Sequence, residues 1–266
     1  DLDLQFFPVH GGRSMAWTSS RRVDDDYIFI RINHQILPNL SFHSYLFEDG
    51  KKSKHFSRIH MHRWTVPIDD TNCKMIGWRA IGPNIDPRDV GNEDLVGFEK
   101  IDFLEGQCGI RRPERAKYED GKLPPIPKHH RERDCYNDAQ HAPGDYEATA
   151  SQRPIAVHAL ENPMKFDGGV YLSRKQLRDA TTGSNPAATG AGWKEWLEGV
   201  DGKPNTYCSG NVLKVPIGST PEEEVERRRV VAQRCIQAIT DADELPAGER
   251  EAFIQDKMAE VERDYA

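Results

Sequence analysis

The stretch Arg58-Ile59-His60-Met61-His62-Arg63-Trp64-Thr65-Val66 alternates in side-chain character, meets Pro67-Ile68-Asp69-Asp70-Thr71-Asn72, and returns as Cys73-Lys74-Met75-Ile76-Gly77-Trp78-Arg79-Ala80-Ile81. Period-two alternation sends successive side chains to opposite faces of a strand, and the Pro/Asp/Asn cluster supplies a turn. A β-hairpin is therefore predicted from about residue 58 to about residue 82.

Upstream of the hairpin the same signals continue. Tyr27-Ile28-Phe29-Ile30-Arg31-Ile32 is rich in β-branched and aromatic types and follows the turn-forming Asp24-Asp25-Asp26, and a second short run covers residues 40–47. The first third thus reads as antiparallel sheet. Downstream, residues 83–143 lose periodicity and carry Pro113, Pro124, Pro125 and Pro127 among many charges, the pattern of a long surface excursion.

The remainder reads as helical. Pro143-Gly144-Asp145 can open one short helix, and Asp167-Gly168-Gly169 a second that runs to about residue 178; residues 181–192 form a Gly/Ala/Thr tract predicted to be flexible. Thr220-Pro221-Glu222-Glu223 places a hydroxyl cap, a first-turn proline and a glutamate three residues on, and so announces a helix to about Ile239 that buries Val225, Ala232, Ile236 and Ile239. A last helix, at about residues 247–263, carries Ile254, Met258 and Val261 on one stripe. No internal repeat is seen. Strands first and helices later make an α+β fold, with helices on one face or end of an antiparallel sheet. A curved sheet against helices leaves a cavity between the layers, where a ligand is expected.

Composition bounds the function. The chain is 37% hydrophobic and 30% charged, so much of it is expected to be solvated surface and loop. The net charge of -7, with acidic and basic residues interleaved, offers no basic stripe to neutralise phosphates, which argues against a nucleic-acid partner. No stretch approaches the roughly 20 apolar residues that cross a bilayer, and Asp1-Leu2-Asp3-Leu4 has no signal-peptide character, so a soluble cytoplasmic protein without a membrane partner is expected. The five cysteines, Cys73, Cys108, Cys135, Cys208 and Cys235, are widely spaced with no C-x-x-C pair, and are expected to be reduced, buried or neutral thiols. Glycine-rich phosphate loops, a nucleophile elbow and a Walker lysine are missing, so nothing supports nucleotide hydrolysis or serine-hydrolase chemistry.

The segment Pro143-Gly144-Asp145-Tyr146-Glu147-Ala148-Thr149-Ala150-Ser151-Gln152-Arg153-Pro154-Ile155-Ala156-Val157-His158-Ala159-Leu160-Glu161-Asn162 carries a family likeness. With Asp167, the helix after it and Trp64-Thr65-Val66-Pro67-Ile68-Asp69-Asp70-Thr71, it resembles the catalytic half of ring-hydroxylating and O-demethylating Rieske oxygenases of the phthalate and vanillate type, over about residues 16 to 180. The resemblance implies a helix-grip domain, an antiparallel sheet wrapped on helices around a pocket. It also implies a mononuclear Fe(II) held by two histidines and one carboxylate, a [2Fe-2S] Rieske cluster, O2 as co-substrate, an aromatic substrate, an electron-donating reductase or ferredoxin, and a homo-oligomer, a trimer in the family.

Carried over residue by residue, the iron carboxylate falls on Asp145, with Asp138 and then Asp134 as competitors; read from position alone, Asp145 after Pro-Gly is a helix N-cap. The family's Asp-x-x-His-x-x-x-x-His pair and its Cys-x-His and Cys-x-x-His motifs do not occur here. The expectation is therefore an N-terminally truncated chain, with an incomplete catalytic domain at residues 1–215, the excursion at 83–143 inside it, and a C-terminal helical extension at 216–266. Such a chain should not catalyse oxygenation alone. His60 and His62 share a strand face and could hold a metal, although pocket lining or solvent exposure is the plainer reading. His129 and His130 sit in a charged loop and read as surface, and His158 reads as packing or support for the iron ligands. The rival from another class is a non-catalytic helix-grip domain that binds a hydrophobic small molecule, with Asp145 only a cap.

Overall fold

The computed structural model describes residues 3–44, 53–58, 61–79, 152 and 154–266. The chain divides into two compact units, one of Asp1–Val66, Met75–Asn92 and Met164–Ala266, the other of Pro67–Lys74 and Glu93–Pro163.

In the first unit an eight-stranded sheet runs in the order β1 (Asp3–Val9), β2 (Ser14–Arg22), β3 (Tyr27–Ile36), β4 (Leu40–His43), β6 (Met61–Pro67) and β7 (Cys73–Arg79). β8 (Ser209–Lys214) pairs antiparallel with β3 and with β5 (Lys54–Ser57). The strand read from Tyr27 onward is the centre of this sheet, and Asp24 starts it as expected, its Oδ1 accepting from the backbone N–H groups of Asp26 and Tyr27 at 2.9 and 2.8 Å.

β3 carries Ile28, Ile30, Ile32 and Ile36 on one face and a mixed row, Tyr27, Phe29, Arg31, Asn33 and Gln35, on the other. Ile28, Ile30 and Ile32 are fully buried toward one side, while Phe29 packs with Val212, Val23 and Tyr27 on the other. Its first edge pairs with β2 from Ile28 to Ile36. The second edge is shared: Tyr27 to Ile32 face β8, and His34 to Ile36 face β4. Where β5 bulges, Asn211 of β8 repairs the ladder, accepting from the Phe56 N–H at 2.7 Å and donating to the Ile30 carbonyl at 3.2 Å. In the second unit Asp69 closes the predicted turn, its Oδ1 accepting from the N–H groups of Thr71 and Asn72, both at 2.8 Å.

Four helices of more than one turn are described: α1 (Gly168–Thr182), α2 (Gly190–Gly199), α3 (Pro221–Asp241) and α4 (Arg250–Arg263). The cap read at Thr220 is present, with its Oγ1 accepting from Glu223 N–H at 3.2 Å. Ala232, Ile236 and Ile239 of α3 and Ile254, Met258 and Val261 of α4 are buried against the Ile28/Ile30/Ile32 face in one cluster, as their spacing predicts. Val225 departs from expectation and is 36% exposed. At its level the inward positions belong to Glu224 and Arg228, an ion pair, so the apolar stripe starts a turn later. α1 lies on the opposite face from α3 and α4, with Gly169 against the Phe6 ring and Ser173 Oγ donating to Gln35 Oε1 at 3.4 Å. Gly183, at φ 74, ends α1 in the left-handed conformation. No helix among the described residues is long and apolar enough to cross a membrane.

Residues 181–192 are ordered by contact rather than loose. A 3₁₀ turn at Pro186–Ala188 leads into α2, capped by Thr189, and Gly192 lets the two pack backbone to backbone. A Cβ at Gly192 would lie 2.3 Å from Pro186 O and 2.6 Å from Ala187 O. Gly192→Ala is expected to cost about 1–3 kcal/mol in urea unfolding, the range for overpacking; unchanged stability would show that the turn yields freely.

Candidate functional site

At the end of β1 the chain reverses through His10, Gly11 and Gly12, all at positive φ (51°, 64° and 83°), which only glycine adopts freely and which here turns the His10 ring inward. His10 Nδ1 lies 2.7 Å from Ser14 Oγ, and its ring meets those of Trp196, Tyr207 and His34 at centroid distances of 4.7, 5.0 and 5.3 Å. His34 continues the Ile28/Ile30/Ile32 row of β3 and is fully buried, stacked on Phe42 at 5.6 Å. Neither His34 nitrogen, nor His10 Nε2, has a hydrogen-bond partner among the described residues.

Behind the rings, Asp243 accepts from Tyr207 OH at 2.6 Å and from Asn205 Nδ2 at 2.8 Å; the same amide donates to Ile239 O at 2.9 Å. Burial disfavours charge throughout the cluster. It lowers His10 to about 4, against the opposing pull of Asp243 and with help from Arg13 and Arg250. It drives His34 well below the usual histidine value, helped by His10, and raises the Tyr207 hydroxyl, reinforced by its bond to Asp243. Two neutral imidazoles beside a neutral phenol form a rigid polar wall.

This wall backs a cavity of about 790 Å3 lined by His10, Arg13, Trp196, Asn205, Asp243 and Arg250, among others. A second hollow of about 400 Å3 lies against β5, β6 and the segment that leads into β8 and is lined by Phe56, His62, Pro204, Cys208 and Arg250, among others. The order of elements predicted a cavity between the sheet and helix layers; there the structure has packed core, and the hollows are lined mainly by the loops at residues 199–208 and 243–248.

Of the residues singled out from the sequence, Asp145, Asp138, Asp134, His60, His129 and His130 lie outside the described residues. His62 lines the smaller hollow, stacked on Trp78 at 5.1 Å and edge-on to Phe42 at 5.2 Å, and burial lowers its pKa. His158 is exposed in a 3₁₀ turn at His158–Leu160, not packed as expected, because that turn buries none of its residues. Cys208 and Cys235 are buried free thiols, raised in pKa by burial, Cys235 to about 12; Cys73 is free and exposed.

Among the described residues no group of three or more His, Cys, Asp or Glu is placed to hold a metal. His10 and His34 have imidazoles to offer, but the carboxylate nearest in the network, Asp243, already accepts from Tyr207 and Asn205. The described residues therefore do not by themselves supply the two-histidine, one-carboxylate set.

The reading from sequence missed His10, Tyr207, Asp243 and Arg250, which come together from opposite ends of the chain. His34 alone left a signal: an imidazole at the next inward position after Ile28, Ile30 and Ile32 shares their buried face.

No protein-family model matches the chain, and no solved structure matches it. Over 263 residues, 97% of its length, it is 32% identical to the oxygenase subunit of the tert-butanol monooxygenase / tert-amyl alcohol desaturase of Aquincola tertiaricarbonis. The chain spans about half, 49%, of that curated relative. By sequence, then, this chain is related to an oxygenase subunit along nearly all of its own length.

Proposed function

We propose that the chain is the catalytic-domain part of the terminal oxygenase component of a Rieske-type iron oxygenase. The observation that carries this reading is the 32% identity, sustained over 263 residues, with a monooxygenase oxygenase subunit. The antiparallel sheet with helices against it and a cavity beside them suit a helix-grip domain, and the family likeness around Asp145 supports the same class.

In this reading Asp145 is the carboxylate ligand of a mononuclear ferrous ion, and two histidines and a [2Fe-2S] cluster come from polypeptide outside this chain. When bound, the iron supplies dioxygen activation, with electrons delivered from a reductase or ferredoxin. The chain's own part is to hold one ligand, enclose the substrate and exclude water. The cytoplasm and a homo-oligomer, a trimer by family likeness, belong to the same proposal. For the substrate, the relative's name favours a compact tertiary alcohol, whereas the phthalate- and vanillate-type likeness points to hydroxylation or O-demethylation of an aromatic compound.

The test uses the full-length protein that contains this chain. Asp145→Ala is expected to lose most of the mononuclear iron, about tenfold or more in affinity, while the visible absorption of the [2Fe-2S] cluster stays. Oxygen uptake with tert-butanol against an aromatic acid then separates the substrate classes. Normal iron content in the variant would defeat the ligand assignment and favour the second reading, a non-catalytic domain binding a hydrophobic small molecule, which the two hollows would also serve.

A further inference from the structure

An indole and a phenol, the two side-chain rings that give up an electron most readily, stand on either side of His10. The Trp196 ring meets the imidazole at 4.7 Å and the Tyr207 ring meets it at 5.0 Å, between centroids. Trp196 is half-buried and lines the larger cavity, whereas Tyr207 is 1% exposed and lines neither hollow. Touching rings therefore lead from the cavity wall into the core. Trp193, edge-on to Trp196 at 5.3 Å, adds a second indole at the outer end.

The charges along this path are graded. At the outer end the Arg13 guanidinium lies 5.6 Å from the Trp196 centroid, so a positive charge left on that indole is repelled. Arg13 is anchored there, Nη1 donating to His10 O at 2.9 Å and Nη2 to Gly192 O at 3.3 Å. At the inner end the Tyr207 OH donates to Asp243 Oδ2 at 2.6 Å, which puts a base where a phenol that loses an electron must also lose its proton. Asn205 donates to Asp243 Oδ1 at 2.8 Å and fixes that carboxylate. Burial, reinforced by the bond to Asp243, keeps the phenol protonated beforehand, so electron and proton leave together. The imidazole between the two rings, held by Ser14 Oγ at 2.7 Å from its Nδ1, is much harder to oxidise than either. Further in, His34 and the Phe42 ring stacked on it are likewise hard to oxidise, so a lost electron is missed longest at Tyr207.

We propose that Tyr207 is a redox-active tyrosine fed through Trp196. A one-electron oxidant of the radical class that reaches the larger cavity, a hydroxyl or alkoxyl radical, takes one electron from the Trp196 indole and becomes its anion. Trp196 recovers that electron from Tyr207 across the His10 ring, and in the same step the phenol O–H bond breaks and its proton passes to Asp243. What remains is a reduced oxidant, an unchanged Trp196, a neutral phenoxyl radical on Tyr207 and a protonated Asp243. The oxidising equivalent has moved from the cavity wall to a ring walled off from solvent. The relay stands without the iron reading, because its oxidant can arrive from solution.

The test is pulse radiolysis of the full-length protein with the azide radical, which oxidises indoles, followed by the absorption of the tryptophan and phenoxyl radicals. The tryptophan radical is expected to decay into the phenoxyl radical at a rate independent of protein concentration, the mark of transfer within one molecule. Tyr207→Phe should remove this phase. Because that variant also strips Asp243 of a donor, two further variants keep the phenol. Trp196→Leu, on the half-buried outer ring, should slow the phase at least about tenfold, and Asp243→Asn, which keeps an accepting oxygen but is a poor base, should slow it by about tenfold or more. Asp145→Ala, which tests the iron reading, should leave the phase unchanged. The proposal is overturned by any of three outcomes: no concentration-independent growth of the phenoxyl radical, the same phase in Tyr207→Phe, or the original rate in either Trp196→Leu or Asp243→Asn.

Discussion

Replacing Glu224 by alanine is expected to destabilise the protein by about 2–3 kcal/mol, the loss for a partly buried carboxylate that accepts several charge-assisted hydrogen bonds. Glu224 joins three parts of the chain. Arg22, at the end of β2, grips it with both Nε and Nη2 at 2.7 Å; the Gly218 N–H donates to it at 3.0 Å; and Arg228 Nε lies 3.2 Å away on the same helix. Burial pushes this carboxyl upward, but the hydrogen bonds from Arg22 and Gly218 and the charges of Arg22 and Arg228 outweigh it and hold the carboxyl below the usual range. Arg22 also donates to the Val215 and Pro216 carbonyls, so one cluster fixes the exit of β8 and the start of α3 to the sheet. Loss of Glu224 would leave the Arg22 guanidinium, only 16% exposed, without its counter-charge. Urea unfolding should show a lower midpoint at unchanged slope, and Glu224→Gln, which keeps an acceptor, should lose less. A loss below about 1 kcal/mol for Glu224→Ala would mean the cluster behaves like a solvated surface pair.

The second large effect is acid sensitivity arising from His10 and His34. Above the unfolded histidine pKa of 6.5 both imidazoles are neutral in the folded and unfolded chain, and they make no pH-dependent contribution. As pH falls below that value the unfolded chain takes up protons that the folded cluster refuses, since His10 is held at about 4 and His34 well below its usual value. Stability is therefore lost on acidification through this window, by about 1.4 kcal/mol per pH unit for each residue, or on the order of 5 kcal/mol for the pair over about two units. The groups around them set the sense: Arg13 and Arg250 oppose protonation of His10, Asp243 favours it less strongly than burial resists it, and His34 faces His10 itself. His43, pushed down to about 4 by burial and by Arg31 and Arg63, adds in the same direction. Denaturant unfolding near pH 7 and near pH 5 measures the slope, and His34→Leu should remove about one proton from it. An unchanged slope in that variant would show that His34 is protonated as easily in the folded protein as in the unfolded one.

What could be read from the sequence was what short windows encode. The hairpin around residues 67–72, the strand at Ile28, Ile30 and Ile32, the Thr220 cap and the Ile254/Met258/Val261 stripe each declare themselves within a few turns or one alternation. β8 did not, because Ser-Gly-Asn is a poor strand former, and Asn211 earns its fully buried place only through bonds to β3 and β5. α2 was hidden behind glycines that look like slack but allow close backbone approach at Gly192. The His10, Tyr207 and Asp243 cluster had no local signature at all, since its members meet only after the sheet and α3 are assembled. Asp145, the residue on which the family likeness converged, lies outside the described residues, so its role rests on the likeness and on the iron measurement.

The divided edge of β3 also bears on how the molecule is made. Pairing of β2 with β3 needs only a tight turn, whereas Ile30 and Asn211 meet across 181 positions. Closing so long a loop costs more entropy and comes late, and chains dominated by such distant partners fold slowly. On the ribosome, the backbone groups on the second edge of β3, between Tyr27 and Ile32, therefore wait unpaired until β8 emerges, a template open to other nascent chains in the meantime.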